Sequence, residues 1–427
     1  MKKVLIITYY WPPQGGVGVQ RWLKLSKYLL KYDYEPIIYT QSQGLSSLED
    51  SSLVSNIPDG LKIIRNKILE PQKILSFFSK KRPSSDILIQ EKANFFTKIL
   101  IWLRANIFVP DSRCFWIKPS ISVLNKYLKK NHIDLIISTG PPHSMHLIAL
   151  ALKNQHNIKW IADFRDPWTS IEYFEKLPLL NLQKKRHHHL EKKVLSQADL
   201  VLSVSDSWAR DFNQLGAKKT TVLTNGFDLE DFNYVNSTQL TKSFVIGHFG
   251  LYNKLRDHVF LWNTIKKICR DRLSFQKDLK LFFSGEVHAS FFEQIQKFGL
   301  KNKLEYYSYL PHSEAVEKMI NSDILLVTQG DTQSVSGRLP AKVFEYIGAR
   351  RPILAIGKKN SDLEKIISSI SYGWFVDFNN DKLLYDTIIK IYEMRNSNPT
   401  YNDDISHFSR EEQAKVLTKI IDDLCSK

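Results

Sequence analysis

The 427-residue chain reads as an α/β protein of two doubly wound, Rossmann-like parallel-sheet domains. Three observations predict this. The length exceeds what one hydrophobic core organises and suits two domains of roughly 200 residues each. Strand-like apolar runs alternate with amphipathic helical runs through both halves, as in parallel sheets joined by crossover helices. The alternation stops at the polar stretch "EDFNYVNSTQLTK", Glu230 to Lys242, and then restarts.

In the first half, strands are expected at 4–9, 36–41, 61–65, 134–138, 159–163, 200–204 and 221–224. Helices between them include 19–32, 119–131, 143–155 and 181–197. The second half supplies "SFVIGHFG", "LKLFFSG", "LEYYSYL", "DILLVTQ", "RPILAIG" and "GWFVDF" as strands with helices between. The domains are therefore set at 1–230 and 243–400, with a linker at 231–242. A C-terminal helix at 401–427 is a candidate to pack back on the first domain. Residues 66–118 break the alternation with an insertion of ten Lys/Arg against four acidic residues. Within it, "NFFTKILIWLRANIF" has the composition of a basic amphipathic helix, suited either to an anionic membrane interface or to packing on its own domain.

The net charge is +16, and residues 1–240 carry 33 basic against 21 acidic side chains. A field of that sign favours an anionic partner. No nucleic-acid recognition motif is present, so no nucleic-acid partner is expected. No run reaches the roughly 18 apolar residues of a membrane span. The start lacks the long apolar region of a signal peptide, and the expected location is cytoplasmic. Three cysteines without CxxC spacing suggest neither a disulfide framework nor a zinc site.

Open α/β sheets bind ligands outside the carboxyl ends of their strands, so the loops that follow strands carry the candidates. After the first strand, "YYWPPQGGVGVQRW" offers Gly15, Gly16 and Gly18. It fits neither the dinucleotide fingerprint, because Arg21 stands at its third glycine, nor the P-loop, which needs Gly-Lys-Ser/Thr. "TGPPHSMH" places His143 at the start of a helix that Ser144 could cap; His143 is either a structural hydrogen-bonding residue or a catalytic one. "DFRDPW" sets Asp163 and Asp166 around Arg165, ahead of Trp168. Such a group can hold sugar hydroxyls, shift a carboxylate toward proton transfer, or form an internal ion pair. "RHHHLEKK" resembles a metal tract, but consecutive helical residues point about 100° apart, and it reads as a solvated basic face.

In the second half, "SVSGRLPAKVFEYIGARRPILAIG" leads a Ser/Gly-rich loop into a helix at Pro340. Free amides at Gly337, Arg338 and Leu339, the helix dipole and Lys342 would together suit a diphosphate. Glu345 could accept two ribose hydroxyls. Upstream, "HFGLYNKLR" adds Lys254 and Arg256 as further cations.

These segments resemble family-4 retaining glycosyltransferases of the GT-B fold, two such domains facing across a cleft, over nearly the whole chain. "LPAKVFEYIGARRPILAIG" is the most specific match, followed by "YYWPPQGGVGVQRW", "STGPPHSMH", "DFRDPW" and "TNGFDLEDF". "VPDSRCFW" together with "DFRDPW" is similar to bacterial members that build cell-surface polysaccharides such as lipopolysaccharide or capsule. The resemblance implies transfer from a nucleotide-diphosphate sugar, bound mainly by the second domain, to a glycan or polyprenyl-diphosphate-linked acceptor on the first. It implies that Glu345 holds the ribose and that Arg256 and Lys342 neutralise the diphosphate, with the Gly337–Leu339 amides beside it. Gly15, Gly16 and Gly18 would approach the sugar and its phosphate. His143 would lie near the donor sugar, while Asp163, Asp166, Arg165 and Trp168 would meet the acceptor. No cofactor or metal is implied. One departure from the family motif stands out: Gly337 occupies the position of its first glutamate. An epimerase of the same architecture, or a sugar-nucleotide-binding subunit without activity, are the alternatives.

Overall fold

The computed structural model describes residues 1–42, 49–68, 95–232, 243–332, 334–397 and 400–426. Contacts divide the chain into two compact units, one of Met1–Thr224 with Arg410–Lys427 and one of Asn225–Ser409.

The first unit is built on seven parallel strands: β1 (Lys2–Ile7), β2 (Tyr34–Gln41), β3 (Lys62–Asn66), β4 (Leu135–Gly140), β5 (Lys159–Phe164), β6 (Leu200–Ser203) and β7 (Thr220–Val222). Their order is β3-β2-β1-β4-β5-β6-β7. The second unit has six: β8 (Phe244–Phe249), β9 (Leu279–Ser284), β10 (Leu304–Tyr307), β11 (Ile324–Thr328), β12 (Ile353–Gly357) and β13 (Gly373–Asp377), in the order β10-β9-β8-β11-β12-β13. Every expected strand is present.

Central strands of such sheets are buried on both faces and read as continuous apolar runs. In β1, Leu5 and Ile7 enter one hydrophobic cluster and Val4 and Ile6 enter another. The period of two thus divides one strand between two cores. Helix Val17–Lys31 covers one face with Trp22, Leu25 and Leu29, beside Leu417 and Ile421 of helix Arg410–Cys425. Helices Ser144–His156 and Asn181–Gln197 cover the other. β11 repeats the device, with Leu325 and Val327 on one side and Ile324 and Leu326 on the other.

The C-terminal helix is tied to the first unit by polar bonds as well. Glu411 pairs with Lys31 at 2.6 Å, and Tyr34 donates to Asp422 at 2.6 Å. Part of the expected linker is ordered: Leu229–Phe232 forms a 3₁₀ turn, and His312 meets Asp231 at 3.1 Å. Residues 233–242 lie outside the described residues. So do 69–94, which include Lys80, Lys81 and Arg82 of the basic insertion; the helix expected after them is present as Phe95–Ile107.

Each sheet reverses its winding once, between β1 and β4 in the first unit and between β8 and β11 in the second. Connections leave in opposite directions at such a point and open a crevice at the carboxyl ends of the strands. The candidate residues converge on these two places.

Candidate functional sites at the two winding reversals

In the first unit, Gly16 (φ 98°) ends the loop after β1, and helix Val17–Lys31 begins directly after it with no acidic residue in its first turn. Gly18 faces the loop after β5. A Cβ built there would lie 2.6 Å from the Arg165 guanidinium and 3.1 Å from the Tyr10 ring, so a larger residue would displace one of them. The "GGVG" and "DFRDPW" segments are thus brought together, although 148 positions separate their first residues.

Asp163 and Arg21 are both fully buried. Arg21 grips the carboxylate with two nitrogens, at 2.9 and 3.2 Å. Trp22 Nε1 and the Thr139 hydroxyl add bonds of 2.8 Å each. Burial alone would raise this carboxyl, but the Arg21 charge and hydrogen bonds, Arg165 and Thr139 outweigh it and hold the pKa below the ordinary range. Arg21 also donates to the carbonyls of Leu223 and Thr224, at 2.9 and 2.7 Å. The internal ion pair is therefore the reading that fits Asp163. Its oxygens are committed to neighbours inside the unit, and it anchors the site rather than facing an acceptor.

Trp168 is likewise built into the protein. Its indole donates to His187 Nδ1 at 3.0 Å, and its ring stacks on His143 with 4.8 Å between centroids and 4° between planes. Its amide and that of Thr169 donate to Glu191. This corrects the reading of "RHHHLEKK" as wholly solvated. His188 and His189 are exposed, but His187 and Glu191, four residues apart, face inward with Val194 and Leu195. The helical spacing of 187, 191, 194 and 195 carried that signal. Arg165 donates to Thr139 at 3.1 Å and to the Pro141 carbonyl, with its Cζ 5.8 Å from the Tyr10 ring. Asp166 is half-buried beside it.

His143 is buried, with Nδ1 turned toward Gly140 and lacking a hydrogen-bond partner among the described residues. Ser144 does not supply the cap expected of it. Asp111, 33 residues earlier, takes its amide at 2.9 Å and its hydroxyl at 2.8 Å, closing the helix N-terminus from outside.

Three imidazoles in this region are held neutral. Burial, with neighbouring positive charge, lowers His143 well below its ordinary value; burial brings His146 to about 3 and His187 to about 4. Unfolded imidazoles take protons below about 6.5, whereas these do so only at much lower pH. Their contribution to stability is complete above pH 6.5 and is lost progressively as pH falls below it, toward the lowered value of each group. Glu191, raised by burial, opposes them with one group against three. Urea unfolding of the chain is expected to show lower stability at pH 5 than at pH 7, by up to about 1.4 kcal/mol per pH unit for each histidine. A midpoint unchanged between the two pH values would contradict this.

In the second unit, Gly250 (φ +123°) follows β8, and a Cβ built there would touch Lys342 Cγ at 3.7 Å. Lys342 opens helix Lys342–Ala349, and its Nζ bonds to Glu345 on the next turn. The two expected donor residues are thus paired with each other. Arg256 lies in the 3₁₀ turn Lys254–Arg256 and donates to the Leu251 carbonyl at 2.8 Å. A Cβ on Gly330, in the loop after β11, would lie 2.9 Å from Leu255, so the two loops that leave the reversal are in contact.

The expected row of free amides needs correction. The Arg338 amide bonds to the Val335 carbonyl at 3.0 Å, closing a 3₁₀ turn over Val335–Gly337; Gly337 and Leu339 are buried on either side. Buried Gln329 holds this loop and escaped the sequence reading. Its amide nitrogen donates to the carbonyls of Arg338 at 2.6 Å and Val335 at 3.3 Å, and its oxygen accepts from the Lys358 amide. No local pattern marks it, because its partners lie in other loops.

The model of Glycosyltransferase Family 4 matches residues 15–231, just over half of the chain. A curated relative, "Probable glycosyltransferase WbjE" of Pseudomonas aeruginosa, is 24% identical over 168 residues. The match covers 39% of this chain and only 40% of that protein's length. The sucrose-phosphate synthase from Thermosynechococcus elongatus superposes with a TM-score of 0.68 at 12% identity, over the full length of both chains. Anabaena Alr3699/HepE, solved with UDP-glucose, gives 0.65 at 12% identity, covering 99% of this chain and 100% of that one. The architecture is GT-B, and the chain belongs to glycosyltransferase family 4.

Proposed function

We propose that the protein is a retaining glycosyltransferase that moves a sugar from a nucleotide-diphosphate sugar to a glycan or lipid-linked acceptor in cell-surface polysaccharide synthesis. The observation that carries this reading is that the paired Lys342 and Glu345, and the turn that holds Arg256, stand in the segments that leave the winding reversal of the second unit. Lys342 and Arg256 would neutralise the diphosphate as it leaves, the step at which most negative charge develops. Glu345 engages Lys342 through one carboxylate oxygen and offers the other to a ribose hydroxyl. No metal is placed in this scheme, because these cations supply the positive charge.

In the retaining route the acceptor hydroxyl attacks the face from which the diphosphate departs, and a departing phosphate oxygen takes the hydroxyl proton. The C–O bond to phosphate breaks, a C–O bond to the acceptor forms, and the proton ends on the nucleoside diphosphate. No carboxylate base is required, which accords with the structural engagement of Asp163. Asp166 and Arg165 remain the acceptor-side groups, and His143 the group nearest the transferred sugar. The protein would work at the inner face of the plasma membrane, on anionic lipid. No described helix is long and apolar enough to cross a membrane, while exposed Ile99 and Trp102 beside Lys98 suit peripheral contact.

A thermal-shift screen across UDP-, GDP-, dTDP- and CMP-sugars tests the donor. One of them is expected to raise the unfolding midpoint and to be consumed when acceptor is present. Retention should be visible by NMR of the product anomer; an inverted anomer removes the mechanism. An epimerised nucleotide sugar formed without acceptor, or binding without turnover, would replace the transferase reading.

A further inference from the structure

At the carboxyl end of β4, in the first unit, two imidazoles each turn one nitrogen toward the same point. A Cβ built on Gly140 would lie 2.6 Å from His146 Nε2 and 3.1 Å from His143 Nδ1. Both nitrogens are enclosed and lack a hydrogen-bond partner among the described residues. Aromatic packing fixes the planes of the two rings. His143 lies on Trp168 with 4° between planes, and His146 stacks on Phe164 with 4.4 Å between centroids. The two imidazole centroids are 5.7 Å apart. Behind His146, Trp160 Nε1 donates to the Ser138 hydroxyl at 2.8 Å, and that hydroxyl meets His146 Nδ1 at 2.8 Å.

What each group is able to give places the protons along this chain. An indole nitrogen only donates, so the Trp160 bond takes a lone pair of Ser138 and leaves the hydroxyl its own proton. Ser138 is fully buried, and among the described residues the acceptor within reach of that proton is His146 Nδ1. Buried polar groups pair wherever the fold permits. His146 therefore accepts at Nδ1 and, being neutral, holds its single proton on Nε2. That N–H faces Nδ1 of His143. A second N–H there would set donor against donor in a desolvated place, whereas a lone pair is complementary. His143 is neutral as well, so its proton belongs on Nε2.

We propose that Ser138 and His146 are positioning residues that fix the tautomer of His143, so that His143 meets the substrate as an Nε2–H hydrogen-bond donor. The enclosed nitrogen of His143 is Nδ1, which leaves Nε2 for a ligand. The inference rests on the glycosyltransferase reading, within which it gives His143 one task. The ring holds an oxygen of the transferred sugar and takes no proton from the acceptor hydroxyl. A route in which a departing phosphate oxygen takes that proton asks for a donor of this kind and for no imidazole base. Gly140 belongs to the arrangement, because a side chain there would press on both facing nitrogens.

The first test is long-range nitrogen–proton NMR correlation on the full chain, isotope-labelled at histidine, with His143→Gln identifying the His143 signals. His143 is expected to show a protonated Nε2 and a bare Nδ1; a proton on Nδ1, or an average over both nitrogens, overturns the inference. His146→Phe keeps a flat ring against Phe164 and loses both nitrogens, and it should turn the His143 pattern into such an average. Ser138→Ala should act in the same direction, and it supplies the comparison if His146→Phe does not fold. A His143 pattern unchanged in the folded variants removes the positioning role. The second test is transfer kinetics. His143→Gln, whose amide N–H stands in for Nε2–H, should keep kcat/KM within about tenfold of wild type, while His143→Ala loses about a hundredfold. Equal rates for the two variants, whether both kept or both lost, overturn the donor assignment. The spectrum needs no substrate, which separates the two ideas. A His143 tautomer as inferred, whose signals move with no nucleotide sugar of the donor screen, would count against the glycosyltransferase reading instead.

Discussion

Replacing Lys342 by alanine is expected to lower sugar transfer by about 10²–10³-fold in kcat, the usual cost of removing one preorganised donor from a site of developing negative charge. The unfolding midpoint should stay within about 1 kcal/mol of wild type, because the Lys342–Glu345 pair lies one turn apart on a partly exposed helix face. Glu345→Ala should behave differently. Losing a ribose contact weakens ground state and transition state alike, so KM for the nucleotide sugar rises more than kcat falls. Steady-state kinetics on both variants, with thermal melts alongside, separate these outcomes. A Lys342→Ala enzyme with wild-type kcat would remove Lys342 from the reaction.

Asp163→Ala is expected to destabilise the first unit by about 3–5 kcal/mol, the range for breaking a buried ion pair from one side. The change leaves the Arg21 guanidinium fully buried without its carboxylate, and it removes the acceptor for Trp22 and Thr139. The pH dependence has a definite sign. Because the folded carboxyl titrates below its unfolded value of about 3.8, its contribution is complete above that pH and is lost as pH falls further. Urea denaturation at pH 7 checks the magnitude. A loss below about 1 kcal/mol would show that the pair is relaxed or hydrated. Activity of any refolded Asp163→Asn protein separates anchoring from chemistry, since asparagine keeps the shape and loses the charge.

Much of this protein is legible along the chain because its strands are central strands of parallel sheets. Residues such as Val4 to Ile7 and Ile353 to Ile356 are apolar on both faces and end at Gly, Pro or polar loops. Local composition therefore marks them whatever they later pair with. Helix Asn181–Gln197 was legible to the residue. Its buried histidine was not, because charge on either side masks His187 unless the helical spacing through Glu191 and Val194 is followed. The pairing of Lys342 with Glu345 was open to local reading as well: the two lie three apart on one helix, where opposite charges meet.

The sequence by itself determined the two α/β units, the thirteen strands and the loops that could carry chemistry, since periodicity and loop composition are properties of neighbouring residues. Tertiary structure alone decided which loops share a site and what each polar side chain does there. Strand order sets β4 between β1 and β5, so Arg21 reaches Asp163 across 142 positions, and Asp111 caps the helix of Ser144. The partner of a buried charge is selected by desolvation, which requires that the charge be neutralised by whatever the fold brings within hydrogen-bond reach. No spacing along the chain encodes that choice.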